Sequence, residues 1–324
     1  MGRLIVSNHG RVRAEPGVWT EGVAVPVELL WIPATLLAAA GQTARNAMQR
    51  SLTERLGTVG ASQVRFLYGF PFALLFLGLV VLVGGERIPT GDGRFYSFLV
   101  GGSITQITAT VLMLAAMRDR SFAVTTAYIK TEPVLVAVFG LIVLGDVLQP
   151  LAAVAVLVAT AGVVLMAVKP GTGAVSLVAL RPAAQGIAAG AFFALSAIFF
   201  RGAIGALPEG SFVLRATTTL AWSLGVQSGL LIVWMGLADR PALVNSLKAW
   251  RPSLFAGFMG AFASQFWFIG FALTSAANVR TLALVEVLFA QAVSRRLFDQ
   301  ATTWREYAGM ALIVAGVALL LASH

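Results

Sequence analysis

The stretch "TAYIKTEPVLVAVFG", residues 126 to 140, holds a cation, an anion and a helix breaker inside an otherwise apolar run. A charged side chain at mid-helix in a bilayer costs about 2.5–3.5 kcal/mol on insertion scales, so Lys130 and Glu132 each need a partner, a watery cavity or an escape to the surface. Two residues apart on an ideal helix they point in different directions and cannot pair with each other, whereas Tyr128 and Glu132 share a face. Pro133 removes a backbone donor and loosens the turn before it, which leaves carbonyls near Ile129 open to a ligand or a neighbouring helix. A second carboxylate, Glu286 in "ALVEVLFAQ", lies as deep in a later apolar run. Carboxylates in low dielectric are candidates for taking and releasing a proton, and Lys130 for holding an anionic group of a substrate; the alternative is that all three only tie helices together.

Further polar residues sit in apolar runs. Gln106 and Gln265 occupy matching places in "GGSITQ" and "GAFASQ", where contact with a ligand and hydrogen bonding between helices are both open. Asn46 and Ser196 form a second matched pair with the same two readings. "QFWFIGF", residues 265 to 271, offers Trp267 and three phenylalanines to an apolar pocket or to simple packing. Arg65 and Arg215, also matched, stand near the ends of their runs and read as interfacial anchors, as do Trp31, Trp234, Trp250 and Trp304. "GIAAG", residues 186 to 190, permits close helix approach.

The elements that must position these residues are membrane helices. The chain is 58% hydrophobic and only 11% charged, and its apolar windows are long enough to cross about 30 Å of hydrocarbon as helices; the short alternating segments of a barrel are absent. Ten spans are expected, at about 27–48, 62–84, 95–116, 122–144, 148–168, 183–205, 212–237, 253–274, 277–297 and 302–322, with breaks such as "GGERIPTGDGR" and "ADRPALVNSLKAWRP" between them. The net charge of +9 comes from Lys and Arg residues placed singly or in pairs over the breaks, which form no nucleic-acid-binding run. With no cysteine, and with histidine only at His9 and His324 in the terminal tails, thiol chemistry has no residues and metal or imidazole chemistry almost none to use, so neither an enzyme nor a cofactor is expected. Residues 1–26 read as a polar tail: the "LIV" run is too short for a signal peptide, and Val6 stands where a myristoylation signal needs Ser or Thr.

A weak internal repeat organises the spans. Besides the matched pairs above, "LGD" ending at Asp146 matches "LFD" ending at Asp299, and "ATAGVVLM" matches "IVAGVALL". The chain therefore divides into halves at 27–169 and 183–322, joined by a linker at 170–182, with five spans in each. An odd number per half inverts the second half in the bilayer, and two such bundles can rock about a central site. Because spans 4 and 9 correspond, Glu132 and Glu286 should meet near the pseudo-two-fold axis.

Ten spans in two halves, the Glu-Pro pair in span 4, the closing "LGD" and the "AGVVLM" and "AGVALL" tails resemble the ten-helix branch of the drug/metabolite transporter superfamily. The resemblance implies a secondary transporter in the cell (inner) membrane, exporting amino acids or similar small metabolites from a cavity lined by helices 1, 3, 4, 6, 8 and 9. A drug or lipid-linked-sugar translocator is the alternative within that fold, and a non-transporting assembly protein the alternative outside it. Two departures are visible: the closing acidic residue is Asp146 instead of Glu, and Glu286 stands opposite Pro133. The basic residues of the loops taken alone favour termini outside, whereas the resemblance implies termini in the cytoplasm.

Overall fold

The structure, a computed structural model, describes residues 26–119, 129–130, 132–167, 177–288 and 304–323. The apolar runs form helices, and no strand occurs among the described residues. In chain order they are α1 (Trp31–Leu67), α2 (Phe70–Gly84), α3 (Gly93–Asp119), α4 (Glu132–Leu144), α5 (Pro150–Ala167), α6 (Leu177–Ala206), α7 (Phe212–Ala238), α8 (Arg240–Lys248), α9 (Trp250–Leu273), α10 (Ala276–Leu282) and α11 (Trp304–Ala322). Six segments are long and apolar enough to cross a membrane: Val27–Asn46, Leu52–Gly84, Gly93–Met117, Ala184–Ala206, Phe212–Ala238 and Trp250–Leu273. The apolar helices Glu132–Leu144, Pro150–Leu165 and Tyr307–Ala322 are shorter. Outward side chains such as Leu82, Val83, Ile142 and Leu237 are strongly exposed, as a surface solvated by lipid requires.

Three boundaries differ from those expected. The first span and the start of the second run on in one continuous helical stretch, broken only at Gly57, whose positive φ of 70° reverses the chain. Gln49 Nε2 donates to the Ala61 carbonyl across that reversal at 3.0 Å, so α1 is a helical hairpin. The helix α6 begins at Leu177, ahead of its membrane-spanning segment Ala184–Ala206, which lies where span 183–205 is expected. "DRPALVNSLK", read as a break, holds the short helix α8: Asp239 accepts from the Ala242 amide as N-cap, and proline stands in the first turn. The far part of the expected span 277–297 lies outside the described residues.

The helix pairings repeat under exchange of the two halves. α3 packs on α6 as α1 packs on α9; α4 packs on α6 as α10 packs on α1; α2–α7, α4–α10 and α5–α11 are pairs of equivalent helices facing each other. Small residues set the approach. Gly101 and Gly102 lie against Phe199 and Phe200 while Gly202 lies against Phe98, so α3 and α6 run antiparallel. Gly41 against Ala263 and Gly270 against Thr35 show the same for α1 and α9. Gly190, the second glycine of "GIAAG", would place a Cβ 3.0 Å from the Ile129 carbonyl oxygen; its absence lets α6 touch the backbone just before α4.

Candidate functional site

α4 and α10, the pair on the axis between the halves, are both interrupted where their charges lie. Lys130 stands in a turn, and α4 starts at Glu132 with Pro133 in its first turn, where the missing N–H costs nothing and the helix dipole favours the carboxylate. α10 ends at Leu282, a turn occupies residues 283–284, and one further helical turn covers 285–288. There the backbone closes with short-range bonds: the Leu284 amide donates to Thr281 O, Glu286 to Ala283 O and Val287 to Leu284 O, each at 3.1 Å. Breaks of this kind in membrane helices are tolerated only where the backbone is enclosed by protein.

The charges pair crosswise. Lys130 Nζ of the first half binds Glu286 Oε1 of the second. Arg280 Nε of the second half lies 3.0 Å from Glu132 Oε1 of the first. Lys130, Glu132 and Arg280 are each less than a tenth exposed, and Glu286 Oε2 is buried without a hydrogen-bond partner among the described residues. Burying four ionised groups is costly, and close pairing is the compensation available. The Arg280 guanidinium also lies 4.3 Å from the centroid of the Trp267 ring and 5.4 Å from that of Phe271. Trp267 Nε1 in turn donates to Gln42 Oε1 at 3.1 Å. One line of contacts thus runs from α4 through α10 and α9 to α1.

A second polar layer crosses the bundle beside it. Gln227 Nε2 of α7 donates to Gln106 Oε1 of α3 at 2.7 Å, and Gln265 Nε2 of α9 donates to Thr217 Oγ1 of α7 at 2.8 Å. Arg65 Nη1 donates to Thr110 Oγ1 of α3 at 3.0 Å. Both matched glutamines therefore bond to neighbouring helices, and α7 is their shared partner, a helix whose Thr217, Thr218, Thr219, Ser223, Gln227 and Ser228 are all buried. Asn46 is half-buried and its Oδ1 accepts from Arg45 Nε and Nη2. Ser196 is fully buried and donates to Phe193 O of its own helix at 2.9 Å. Tyr128 lies outside the described residues.

Two assignments from sequence are corrected. Arg65 is no interfacial anchor: the reversal at Gly57 carries it into the bundle, where it is 3% exposed with its guanidinium beside Phe66. Trp31 is likewise fully buried, whereas Trp234, Trp250 and Trp304 are about half or more exposed. Arg45 was missed by the sequence reading although it is 1% exposed; its place in an apolar span was the available signal.

At one end of the bundle a third pair joins the halves. Gly145, at a φ of 71°, ends α4 in the left-handed conformation, and the Asp146 amide returns to Gly140 O at 3.1 Å. The "LGD" motif is thus a helix stop that presents its carboxylate. Arg201 Nη1 of α6 holds both Asp146 oxygens, at 2.6 and 2.5 Å, and Arg201 Nε donates to Thr274 O between α9 and α10 at 3.1 Å. Nearby loops meet where the Ser211 amide donates to Glu86 Oε2 at 2.6 Å, and hydrogen bonding by Ser211 holds the Glu86 carboxyl below the usual carboxylate range. A separate groove between α5 and α11, lined by Leu157, Thr160, Val164 and Trp304 among others, includes none of the ion-paired residues described above.

Two like helical halves, apolar outside and charge-paired along their shared axis, define a multi-pass membrane protein of the transporter class. The chain belongs to the EamA-like transporter family, whose model matches twice, over residues 29–168 and 182–322, within the drug/metabolite transporter superfamily. No curated protein sequence matches it. One solved structure, titled only as the crystal structure of a protein, superposes with a TM-score of 0.65 over 91% of this chain and 98% of its own, at 15% identity. That likeness is one of fold.

Proposed function

We propose that this chain is a secondary transporter that moves a small organic metabolite, an amino acid in the first instance, by rocking its two inverted halves about the α4–α10 axis. The observation that carries the reading is the crossing of Lys130–Glu286 and Glu132–Arg280 between halves, at breaks in both helices. Paired charges of both signs at one place match a zwitterion, which can exchange for them without leaving either uncompensated. Protonation of a carboxylate would release its cation to the substrate, and this couples transport to a pH gradient. Export from a cell membrane follows the family resemblance.

Uptake and efflux of labelled amino acids in proteoliposomes, with and without a pH gradient, test it. Glu132→Gln and Glu286→Gln are each expected to lower gradient-driven transport at least tenfold and to flatten its dependence on pH. Wild-type rates with unchanged pH dependence in both variants would overturn the carboxylate mechanism.

The Asp146–Arg201–Thr274 contact supports a role as the latch that closes one end of the site. Because the chain has no cysteine, a single Gln42→Cys reporter beside Trp267 measures access to the centre. Charge-assisted bonds of this type contribute about 1.5–3 kcal/mol, reduced here by partial exposure, so Arg201→Gln should speed maleimide labelling of that cysteine roughly five- to tenfold. An unchanged labelling rate would remove the latch from the mechanism.

A further inference from the structure

The crossed ion pairs leave positive charge over. Arg45 and Arg65, from the two arms of the α1 hairpin, are both almost completely buried, and their stems converge on one point of α9. A Cβ built on Gly260 would lie 3.5 Å from Arg45 Cδ and 3.4 Å from Arg65 Cγ, so the two side chains pass side by side over a residue that has no side chain of its own. Neither arginine meets a carboxylate among the described residues. Among the described residues Arg45 bonds only to the neutral Asn46 side chain through Nε and Nη2, and Arg65 to the neutral Thr110 through Nη1. Arg45 Nη1 and Arg65 Nε are buried donors with no hydrogen-bond partner among the described residues. Each arginine also lies within Coulombic reach of Arg280, the cation of the crossed pairs. Four cations, Arg45, Arg65, Lys130 and Arg280, therefore share this region with two carboxylates, Glu132 and Glu286, an excess of two positive charges among the described residues.

An excess of that size in a membrane interior is unstable unless an anion answers it, and the fixed fork of a guanidinium matches a carboxylate. We infer that Arg45 and Arg65 form an anion-binding subsite over Gly260, and that the substrate is a net-anionic compound bearing carboxylate groups, such as an acidic amino acid or a small dicarboxylic acid. The inference rests on the transporter reading for its function, but the subsite stands on its own geometry. The carboxylate lies across the two free N–H donors, and the rest of the molecule extends toward Arg280 and Trp267. Gly260 has no side chain to push the two stems apart, and bonds to Asn46 and Thr110 hold the arginines in place.

The purified full-length chain in detergent can be titrated with sodium succinate, sodium glutamate, inorganic phosphate and leucine at constant ionic strength, following thermal unfolding. Succinate or glutamate should raise the unfolding temperature saturably. The midpoint should be about 10- to 100-fold weaker in Arg45→Gln and in Arg65→Gln. It should be unchanged in Arg94→Gln, an exposed arginine. Arg45→Lys and Arg65→Lys keep the charge and lose the fork, and Gly260→Val presses on both arginine stems without removing any charge; all three should weaken binding while remaining folded. Stabilisation by phosphate alone, or an equal midpoint for succinate and glutamate in wild type and the arginine variants, would overturn the inference. In proteoliposomes, leucine carried equally by wild type and both Gln variants would leave the transporter reading standing and overturn the anion subsite. Arginine-dependent succinate binding with no transport of any of these solutes would do the reverse.

Discussion

Glu286→Gln is expected to destabilise the fold by about 3–5 kcal/mol, seen as a fall of roughly 5–10 °C in the unfolding temperature, because it strands the Lys130 ammonium where water does not reach. The double variant Lys130→Met with Glu286→Met should recover most of that loss, since a buried ion pair replaced by apolar groups of similar volume is often neutral or stabilising. Transport should not recover. This separation is what distinguishes a working pair from a structural one. If the pair only tied the halves together, restoring stability would restore activity as well. If the pair opens and closes in each cycle, the apolar double variant is a well-folded protein locked in one packing. Equal recovery of unfolding temperature and of transport in the double variant would assign the pair to structure alone.

The same pair shows how far the sequence could be read. Correspondence of spans 4 and 9 in the repeat was enough to bring Glu132 and Glu286 to one axis, and the structure sets α4 against α10. The identity of each partner was not legible. Helical spacing assigns Lys130 and Glu132 to different faces, but Lys130 stands in a turn before the helix begins, so its direction is set by Gly190 packing on the Ile129 carbonyl and not by a periodicity. Arg280 and Glu286 lie on either side of the turn at 283–284, which separates them and turns each toward the other half. Arg65 was misplaced for a related reason: its depth depends on where the chain reverses, and the reversal depends on one glycine, Gly57, within a run that is helical on both sides. Composition places an arginine in a membrane; only the backbone places it in a bundle.

These breaks share a physical role. Straight helices would present their charges at fixed angles and could satisfy only one arrangement of partners. Short segments such as α10, joined through the turn at 283–284 and anchored at Ser275, whose side chain accepts from the Asn278 amide, can tilt with few backbone bonds lost. The Arg201–Thr274 contact sits at the foot of that segment, so in the proposed rocking motion release of the latch and movement of Arg280 away from Glu132 would be motions of one short helix.

A large packing effect is expected at the far end of the axis, where α5 and α11 meet almost backbone to backbone. A Cβ on Gly162 would lie 2.6 Å from Gly309 O and 2.9 Å from Ile313 N; one on Gly316 would lie 2.6 Å from Ala159 N and 2.7 Å from its Cβ. Neither obstacle is a flexible side chain that could swing aside, so Gly162→Ala and Gly316→Ala must each push the two helices apart, at about 1–3 kcal/mol. Thermal unfolding in detergent measures the loss, and Gly78→Ala, with nothing within 4 Å of the added methyl, is the control expected to be neutral or slightly stabilising. The two wedges act on the same separation: once the helices have moved to admit one methyl, part of the room for the second already exists. The double variant should therefore lose less than the sum of the single losses, by roughly 0.5–1 kcal/mol. Strict additivity would mean that each site yields locally and that α5 and α11 do not move as rigid bodies.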